Sequence, residues 1–356
     1  MAQKQDKAER LATALRENLK RRKSQARAVA GEDGPEQQFK SGMDLLHAER
    51  PLSDWQRGVS MVEAASAQGL AQATERCALF EAMGVERPID WDKALDRLAL
   101  AAEQGSERAA AQLAVLARGD RFVGQPGALR NEISPDGLLG APAVQLLSIS
   151  PRIGIIEQFA SAAECRWLVD SARAKLAPST IFDYLTGELR TDERRTALYS
   201  LCNPIESGII VEVIRARLSR AIGLPLAHFE MSQVLHYSVG QEFKPHHDYF
   251  QPGTAGFDAE IANNGQRVAT QLIYLNEEFE GGETHFPSLG LTYRGHVGDA
   301  LIFFNINDQG DPEPATLHTG LPPTAGEKWL FSQWIRDRRA RGGTGSMAIK
   351  DATPAS

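Results

Sequence analysis

Apolar residues recur at helical spacing in the first part of the chain. Leu11, Leu15 and Leu19 lie four residues apart in a charged stretch, residues 5–29, that contains no glycine or proline. A single apolar stripe on a charged segment is typical of an amphipathic helix. The pattern predicts a charged helical arm over residues 1–35, which is either solvated or a contact helix for a partner chain.

Farther along, the apolar pattern repeats at a fixed distance. Residues 54–69 align with residues 90–105 at an offset of 36 residues, and each copy begins with Asp-Trp, carries alanines and closes with Gln-Gly. A period of this length with Ala and Leu at the apolar positions indicates stacked helix pairs. The pattern resembles the Sel1-like repeats, which are related to tetratricopeptide repeats, over residues 36–118. Such a stack holds a peptide or protein partner, or it only supports the neighbouring domain.

The pattern changes twice after residue 118. Glycine and proline interrupt every periodicity across residues 119–143, which predicts a linker between two domains. Ser161-Ala-Ala-Glu164 then matches a capping box that opens a helix. From Glu230 onward, short apolar runs alternate with glycine and proline, which is typical of the strands of a barrel or a two-sheet jelly roll. The pattern therefore predicts a multidomain α + β protein with a strand-rich domain over residues 144–340 and a flexible tail over residues 341–356.

Composition narrows the functional class. The net charge of −7 and the pI of about 5.7 disfavour a nucleic-acid-binding protein. No apolar run approaches the ~20 residues that a membrane span needs, and the N-terminus lacks the apolar centre of a secretory signal. Cys77, Cys165 and Cys202 are scattered and form no CxxC pair. Sparse cysteines of this kind predict a reducing compartment, so we expect a cytoplasmic protein with thiols in its core.

The candidate chemistry centres on His246-His247-Asp248. Residues two apart on an extended strand project from the same face, so His246 and Asp248 are expected side by side, with His247 on the opposite face. A second histidine from elsewhere would complete a set of two imidazoles and one carboxylate. That set leaves one face of a metal open and suits non-haem Fe(II).

The order of polar residues around this triplet is specific. Tyr237 precedes His246 by nine residues, Lys328 follows His318 by ten, and Trp334 stands six residues beyond Lys328. Gly-Gly-Glu-Thr-His-Phe-Pro at 281–287 and Gly-Asp-Ala-Leu-Ile-Phe-Phe-Asn at 298–305 lie between. In these blocks the chain resembles the prolyl 4-hydroxylase-like family of Fe(II)/2-oxoglutarate dioxygenases, over about residues 151–336.

The resemblance implies a fold, cofactors and site residues. The fold is a double-stranded β-helix, or jelly roll, with supporting helices. Fe(II) and 2-oxoglutarate are the cofactors, O2 is the co-substrate, and ascorbate is a candidate reductant. The metal ligands are His246, Asp248 and His318. The expected contacts to 2-oxoglutarate are Lys328, Tyr237 and Thr270, and the expected substrate contacts are Arg267 and Trp334.

The substrate is less constrained than the metal. The resemblance implies hydroxylation of a prolyl residue in a peptide or protein. Relatives often read Arg-Thr-Ser in the loop near the substrate, whereas this chain reads Arg190-Thr191-Asp192, and residues 251–264 resemble an insertion. A different amino-acid residue or a free small molecule therefore stays open as the target. So does a non-catalytic scaffold protein that uses the helical repeats to bind a partner.

Overall fold

The structure, a computed structural model, describes residues 34–46, 51–117, 125–140, 143–184, 186–203 and 205–339. The predicted arm, apart from its last two residues, lies outside these described residues, as do the predicted tail and part of the predicted linker. The described part of the chain divides into a helical N-terminal region and a strand-rich C-terminal region. No helix in these ranges is long and apolar enough to cross a membrane.

Within residues 34–46 and 51–117, five helices form the described part of the N-terminal region, and their boundaries follow the sequence repeat. Gly69 and Gly105 follow the first helix of each repeated pair and adopt positive φ values of 90° and 99°, which favour glycine. Asp90 caps the second pair, because its side chain accepts a hydrogen bond from the Lys93 backbone N–H. The helices are α1 (Pro35–Leu46), α2 (Leu52–Ala67), α3 (Ala71–Met83), α4 (Trp91–Glu103) and α5 (Glu107–Leu116).

The stretch predicted as a linker contains two short helices, which the sequence pattern did not indicate. They are α6 (Pro126–Glu132) and α7 (Pro135–Leu139). Each has a proline in its first turn, where the missing N–H costs no intrahelical hydrogen bond. Their buried leucines, including Leu129 and Leu139, pack into the core and stabilise helices that are too short for a visible period.

Three longer helices support the C-terminal region: α8 (Ala162–Arg173), α9 (Ile209–Ile222) and α10 (Phe257–Asn264). The predicted capping box is present. The Ser161 backbone N–H donates to the Glu164 carboxylate at 2.7 Å, and the Glu164 N–H donates to the Ser161 hydroxyl at 3.2 Å. Helix α9 ends at Gly223, whose φ is 68°.

Two antiparallel sheets carry the C-terminal region. The larger has eight strands, β1 (Gln145–Ser148), β2 (Ile153–Ile156), β13 (Ala300–Phe304), β9 (Arg267–Tyr274), β16 (Lys328–Arg336), β7 (Gln233–Tyr237), β6 (Leu198–Leu201) and β3 (Ala177–Pro178), in that spatial order. The smaller has four, β12 (Leu291–Tyr293), β11 (Thr284–Phe286), β14 (His318–Gly320) and β8 (Phe243–His246). Two further ribbons pair β4 (Thr180–Asp183) with β5 (Glu188–Thr191) and β10 (Phe279–Gly281) with β15 (Pro323–Gly326).

Aromatic side chains join the two sheets. The rings of Phe286 on β11 and Phe303 on β13 meet edge to face with centroids 5.3 Å apart. Tyr274 on β9 and Tyr293 on β12 make a similar contact at 5.7 Å. These residues belong to one buried apolar cluster that draws on both sheets. The sheets therefore pack against each other, with the smaller one carrying both histidines of the candidate site.

A second apolar cluster runs without a break from the helical region into the larger sheet. Leu95 and Leu113 of the helical region share it with Ile210 of α9 and Phe331 of β16. A polar contact accompanies it, because the Ile209 backbone N–H donates to the side-chain oxygen of Gln112 at 2.8 Å. The helical region and the strand-rich region thus share one core.

The cysteines behave as structural thiols. Cys77 and Cys165 are buried, Cys202 is partly buried, and all three are free. Burial raises the pKa of the Cys77 thiol to about 11 and that of Cys165 to about 12, which keeps both protonated and unreactive. The cytoplasmic location stays a prediction.

Candidate metal centre and active site

Strand pairing brings the two histidines together. In the antiparallel register of β14 and β8, His318 lies directly opposite His246, and their rings have centroids 4.2 Å apart. Asp248 follows in the bend after β8. Its Oδ1 lies 3.6 Å from His246 Nε2, and its Oδ2 lies 3.8 Å from His318 Nε2. One ligand atom from each residue lies within 4.8 Å of the others, so the predicted spacing on one face produces a compact set of two imidazoles and a carboxylate.

Backbone carbonyls orient both histidine rings. His246 Nδ1 lies 2.8 Å from the carbonyl oxygen of Lys244, and His318 Nδ1 lies 3.0 Å from that of Thr316. A carbonyl can only accept, so each Nδ1 carries the proton and each Nε2 keeps a free lone pair. Outer hydrogen bonds of this kind fix the tautomer and direction of metal-binding histidines. Both Nε2 atoms face the Asp248 carboxylate and can bind a metal beside it.

Thr270 and Asn305 hold the carboxylate in place. The Thr270 hydroxyl donates to Asp248 Oδ2 at 2.7 Å and accepts from the Asn305 amide at 3.0 Å. All three residues are buried. The predicted contact of Thr270 with 2-oxoglutarate stays a prediction, because the structure gives its hydroxyl two other partners. Asn305 was not predicted as a site residue, although it closes the block at 298–305 that carried the resemblance.

The protonation states suit metal binding at neutral pH. Burial and the adjacent His318 ring lower the pKa of His246 to about 3, and burial lowers the pKa of His318 as well. Burial opposes the charge on Asp248, but His318, His246 and the Thr270 hydrogen bond hold the pKa of this carboxyl below its usual range. Two neutral imidazoles and one carboxylate are the forms that donate to a divalent ion.

Lys328 places a buried positive charge in the same cavity. It stands opposite Tyr237 in the pairing of β16 with β7 and lines the cavity together with the triad. Its side chain is fully buried, and its Nζ has no hydrogen-bond partner among the described residues. The nearest aromatic rings are those of Tyr237 and Tyr274, with centroids 5.2 and 5.5 Å from Nζ. Burial lowers the pKa of Lys328 to about 7. A buried ammonium without a counter-ion is costly, so this position fits the carboxylate of a bound ligand.

Arg195 is a cavity residue that the sequence reasoning placed elsewhere. It is buried and lines the cavity, with its Nη2 donating to Gln233 at 3.0 Å and its Nε left without an acceptor. Its guanidinium also lies 5.1 Å from the ring centre of Phe243. Arg190, which the Arg-Thr-Ser comparison selected, is exposed on β5. The available signal was that Arg195 lies two residues before the run Ala197-Leu198-Tyr199, which enters β6.

The two predicted substrate residues, Arg267 and Trp334, stack on each other, but only Trp334 lines the cavity. The Arg267 guanidinium lies 3.7 Å from the centre of the Trp334 ring, and its Nε and Nη2 donate to the Glu230 carboxylate at 2.7 and 2.8 Å. Arg336 Nε donates to the same carboxylate at 2.7 Å. Arg267 therefore supports the tryptophan rather than reaching into the cavity, and its role with substrate stays a prediction.

Four other histidines have partners outside the triad. His247 Nε2 lies 3.0 Å from the Pro314 carbonyl oxygen, and His236 Nε2 lies 2.8 Å from the Glu327 carboxylate. His285 pairs with Thr292, and His296 pairs with Glu277. Among the described residues, only the triad meets the geometry of a three-ligand site.

Removing the Thr270 hydroxyl is expected to weaken the metal site without destroying it. Thr270→Val should lower metal affinity by about 10- to 100-fold, the usual effect of losing an outer hydrogen-bond partner of a ligand. Titration of metal-free protein with Co(II), followed by visible absorption, measures this affinity. Thr292→Val, on the outer strand β12, is the matched control and should bind Co(II) as the parent does. Equal affinities for both variants would contradict the role of Thr270 at the carboxylate.

Comparison with known proteins identifies close similarities over this region. A sequence profile of the 2OG-Fe(II) oxygenase superfamily matches residues 232–336, which contain the triad and Lys328. Prolyl 4-hydroxylase 1 of Arabidopsis thaliana is 33% identical over 214 residues, covering 56% of this chain and 74% of that protein. Probable prolyl 4-hydroxylase 10 of the same plant is 32% identical over 212 residues, covering 54% and 71%. Among solved structures, the viral collagen prolyl hydroxylase of Paramecium Bursaria Chlorella virus-1, in its 2OG complex, is 26% identical, covers 52% of this chain and 95% of that chain, and has a TM-score of 0.41.

Proposed function

Because the chain belongs to the prolyl 4-hydroxylase family of the 2OG-Fe(II) oxygenase superfamily, we propose that it hydroxylates a C–H bond on a prolyl residue of a peptide or protein. It is an Fe(II)- and 2-oxoglutarate-dependent dioxygenase, and the reaction converts 2-oxoglutarate and O2 to succinate and CO2. The observation that carries the proposal is the unpaired ammonium of Lys328 in the same cavity as the triad. The cavity needs an anion to pair with Lys328 and a group that chelates the metal. One molecule of 2-oxoglutarate supplies both, because it carries a carboxylate at each end.

Five residues of the cavity have proposed roles. His246, Asp248 and His318 hold the metal through the atoms that already face one another. Lys328 pairs with the distal carboxylate of 2-oxoglutarate, and the Tyr237 hydroxyl, protonated because burial raises its pKa, donates to the same group. When bound, Fe(II) supplies the redox chemistry that couples oxidation of 2-oxoglutarate to hydroxylation. The chain orients the reactants and excludes water, since four of these five side chains are buried.

The surface around the cavity suits an extended substrate. The ribbon β4–β5 stands beside α10, the helix that fills the insertion-like stretch. The Tyr184 ring at the ribbon tip packs against Phe250 and Phe257 with centroids 5.3 and 5.5 Å apart. Trp334 provides an aromatic wall within the cavity. Aromatic walls favour proline rings in extended segments, which supports a prolyl peptide over the alternatives of a non-prolyl residue or a free small molecule.

We also propose the finer architecture. Residues 144–340 form a double-stranded β-helix, a proposal supported by the two packed antiparallel sheets. Residues 36–118 form Sel1-like repeats, supported by the matching glycine turns at Gly69 and Gly105. A role for these repeats in holding the protein substrate follows from this proposal and does not affect the chemistry of the cavity.

Mass spectrometry of peptides tests the proposed reaction. The full chain, supplied with Fe(II), 2-oxoglutarate, O2 and ascorbate as the proposed reductant, is incubated with a library of Pro-containing peptides. We expect a gain of about 16 Da, the mass of one oxygen atom, on a proline, with stoichiometric succinate. A library in which alanine replaces proline is the control. Hydroxylation of both libraries alike would reject the prolyl assignment, and a folded, metal-loaded protein that forms no succinate would instead favour the non-catalytic scaffold.

The affinity for 2-oxoglutarate is expected to fall as pH rises above about 7. The charged form of Lys328 binds the carboxylate, and burial has lowered the pKa of Lys328 in the free protein to about 7. Above that pH, binding must first add a proton, so the affinity should fall by up to about tenfold per pH unit until the raised pKa of the bound complex is reached. Calorimetry of metal-loaded protein without O2, from about pH 6.5 to 9, measures the slope. A flat profile in the parent would contradict this assignment.

The same pKa makes the stability of the ligand-free protein depend on pH. This stability rises with pH, whereas the affinity for 2-oxoglutarate falls. The pKa of Lys328 is lowered from 10.5 in its ordinary state to about 7 in the folded protein. Between these values the unfolded chain holds a proton that the folded chain has released. The contribution of Lys328 to the free energy of unfolding therefore rises with pH across this window.

A further inference from the structure

A second cavity lies at the junction of the helical region and the strand-rich region. Its volume is about 460 Å³, within the usual range for a small-molecule site. Helices α3 and α5 contribute Arg76 and Arg108, α8 contributes Trp167, and the turn after α8 contributes Lys175. We call it the junction cleft. It shares none of its lining residues with the cavity of the metal triad.

Two buried N–H groups of the junction cleft lack acceptors. Arg76 Nε and Trp167 Nε1 are both inaccessible to solvent, and neither has a hydrogen-bond partner among the described residues. An unsatisfied buried donor costs about 1–3 kcal/mol, so two of them lining one cleft indicate a missing acceptor. Both groups are donors, which means that the missing partner carries oxygen atoms with lone pairs.

The charges of the junction cleft favour an anion. Arg76 donates to the carbonyl oxygen of Ile205 and has no carboxylate within ion-pair distance in the described part of the chain. Arg108 pairs with Glu75 at 2.9 Å, and Lys175 pairs with Glu206 at 3.6 Å. One positive charge is therefore left over. Burial and the neighbouring Arg108 lower the pKa of Arg76 to about 10, although Glu75 and Glu206 act in the opposite direction.

Apolar side chains line part of the junction cleft, beside the polar side chains of Ser171, Ser200, Asn203, Glu206 and Ser207. Met43 from α1, Leu168 from α8 and Val211 from α9 line it beside the cationic groups. A bare inorganic ion would leave these side chains without contact. A ligand with an apolar body and one anionic group would cover the apolar wall and satisfy both orphan donors.

We propose that the junction cleft binds a small amphipathic anion, a carboxylate or phosphate on an apolar body. Small side-chain shifts of Arg76 and Trp167, whose N–H groups water does not reach in the free protein, bring both groups to its oxygens, and Lys175 screens its charge at the rim. The site is separate from the binding of 2-oxoglutarate, and it bridges the two regions of the chain, since Arg76 belongs to the helical region and Trp167 to the strand-rich region.

Calorimetry of the full chain with phenyl phosphate tests the proposal, and octanoate tests the carboxylate form in a parallel titration. We expect one phenyl phosphate per chain, with inorganic phosphate binding at least about tenfold more weakly because it lacks the apolar body. Trp167→Phe removes the N–H but keeps an aromatic ring, and Lys175→Gln removes a partly exposed charge. Each should weaken binding about tenfold, as expected for the loss of a charge-assisted hydrogen bond or ion pair. Arg76→Gln should weaken it further.

Two controls locate the binding. Arg57→Gln changes an exposed arginine on α2, outside the cleft, and should leave the dissociation constant within about twofold of the parent. Lys328→Met should do the same, which excludes binding in the triad cavity. Trp167→Phe and Lys175→Gln carry the test if Arg76→Gln fails to fold. The proposal is overturned if phenyl phosphate and octanoate give no heat up to about 10 mM, if the cleft variants bind as the parent does, or if Lys328→Met abolishes binding.

Discussion

Asp248→Ala is expected to lower the Fe(II)-dependent conversion of 2-oxoglutarate to succinate by at least a hundredfold. The substitution removes the only anionic ligand of the triad and leaves two neutral imidazoles, His246 and His318, to hold a divalent ion. It also deprives the buried Thr270 hydroxyl of its acceptor. Loss of an outer partner alone typically costs about 10- to 100-fold in metal affinity or activity, and loss of the ligand itself should exceed that range. Succinate formation and metal content of the purified variant measure the two effects together.

A matched variant separates loss of the metal from loss of a buried carboxylate. Asp299 is also buried, and its oxygens accept hydrogen bonds from the backbone N–H groups of Gln158 and His296 at 3.0 and 2.9 Å. Asp299→Asn should lower the melting temperature but retain the metal and the specific activity of the folded fraction. If Asp248→Ala kept its iron and its turnover, the assignment of the triad would be wrong.

Lys328→Met is expected to weaken 2-oxoglutarate binding by about 100-fold or more while leaving the free protein as stable as the parent or more stable. Removing one partner of a buried ion pair costs about 3–5 kcal/mol, which corresponds to this loss of affinity. Among the described residues no carboxylate pairs with this ammonium, so an apolar side chain of similar length removes an unpaired buried charge. Residues that bind a ligand often make the ligand-free protein less stable than an apolar residue at the same position would. Calorimetry and thermal unfolding, each with and without 2-oxoglutarate, measure both effects.

The surface variant Lys40→Met controls for the loss of a lysine. Lys40 is exposed on α1, so this variant should match the parent in melting temperature and in the stabilisation that 2-oxoglutarate provides. A parent-like response of Lys328→Met to 2-oxoglutarate would show that the distal carboxylate binds elsewhere. A large drop in the melting temperature of the ligand-free variant would contradict the unpaired state of the ammonium.

The metal triad could be predicted because its geometry is mostly local. The spacing of His246 and Asp248 fixes their common direction on any extended segment. His318 and Lys328 were identifiable by their order along the chain, since each lies on a strand whose partner carries another site residue. The structure pairs His318 with His246 and Lys328 with Tyr237. Local periodicity and the resemblance thus converged on the same side chains.

The positions that sequence reasoning misplaced depend on contacts between distant segments. The chain presents several arginines close together in one loop, and only the folded ribbon decides that Arg195, not Arg190, faces the cavity. Thr270, whose expected contact with the co-substrate stays a prediction, also donates to Asp248 in the bend after β8, and the sequence did not indicate that contact. The short helices α6 and α7 are stabilised by burial of their leucines rather than by their own periodicity, so no local pattern revealed them. The junction cleft combines five helices from the two regions, and no local sequence pattern indicates it.

The continuous core has a consequence for the history of this protein. The apolar face of α9 that meets Leu113, and the backbone N–H of Ile209 that meets Gln112, would be exposed to water in an oxygenase without the helices. A lineage could lose the helical region only after polar residues had replaced that face, and each early replacement would destabilise the intact protein. The helices have therefore become a scaffold that the oxygenase cannot easily shed, whatever the task for which they were first acquired.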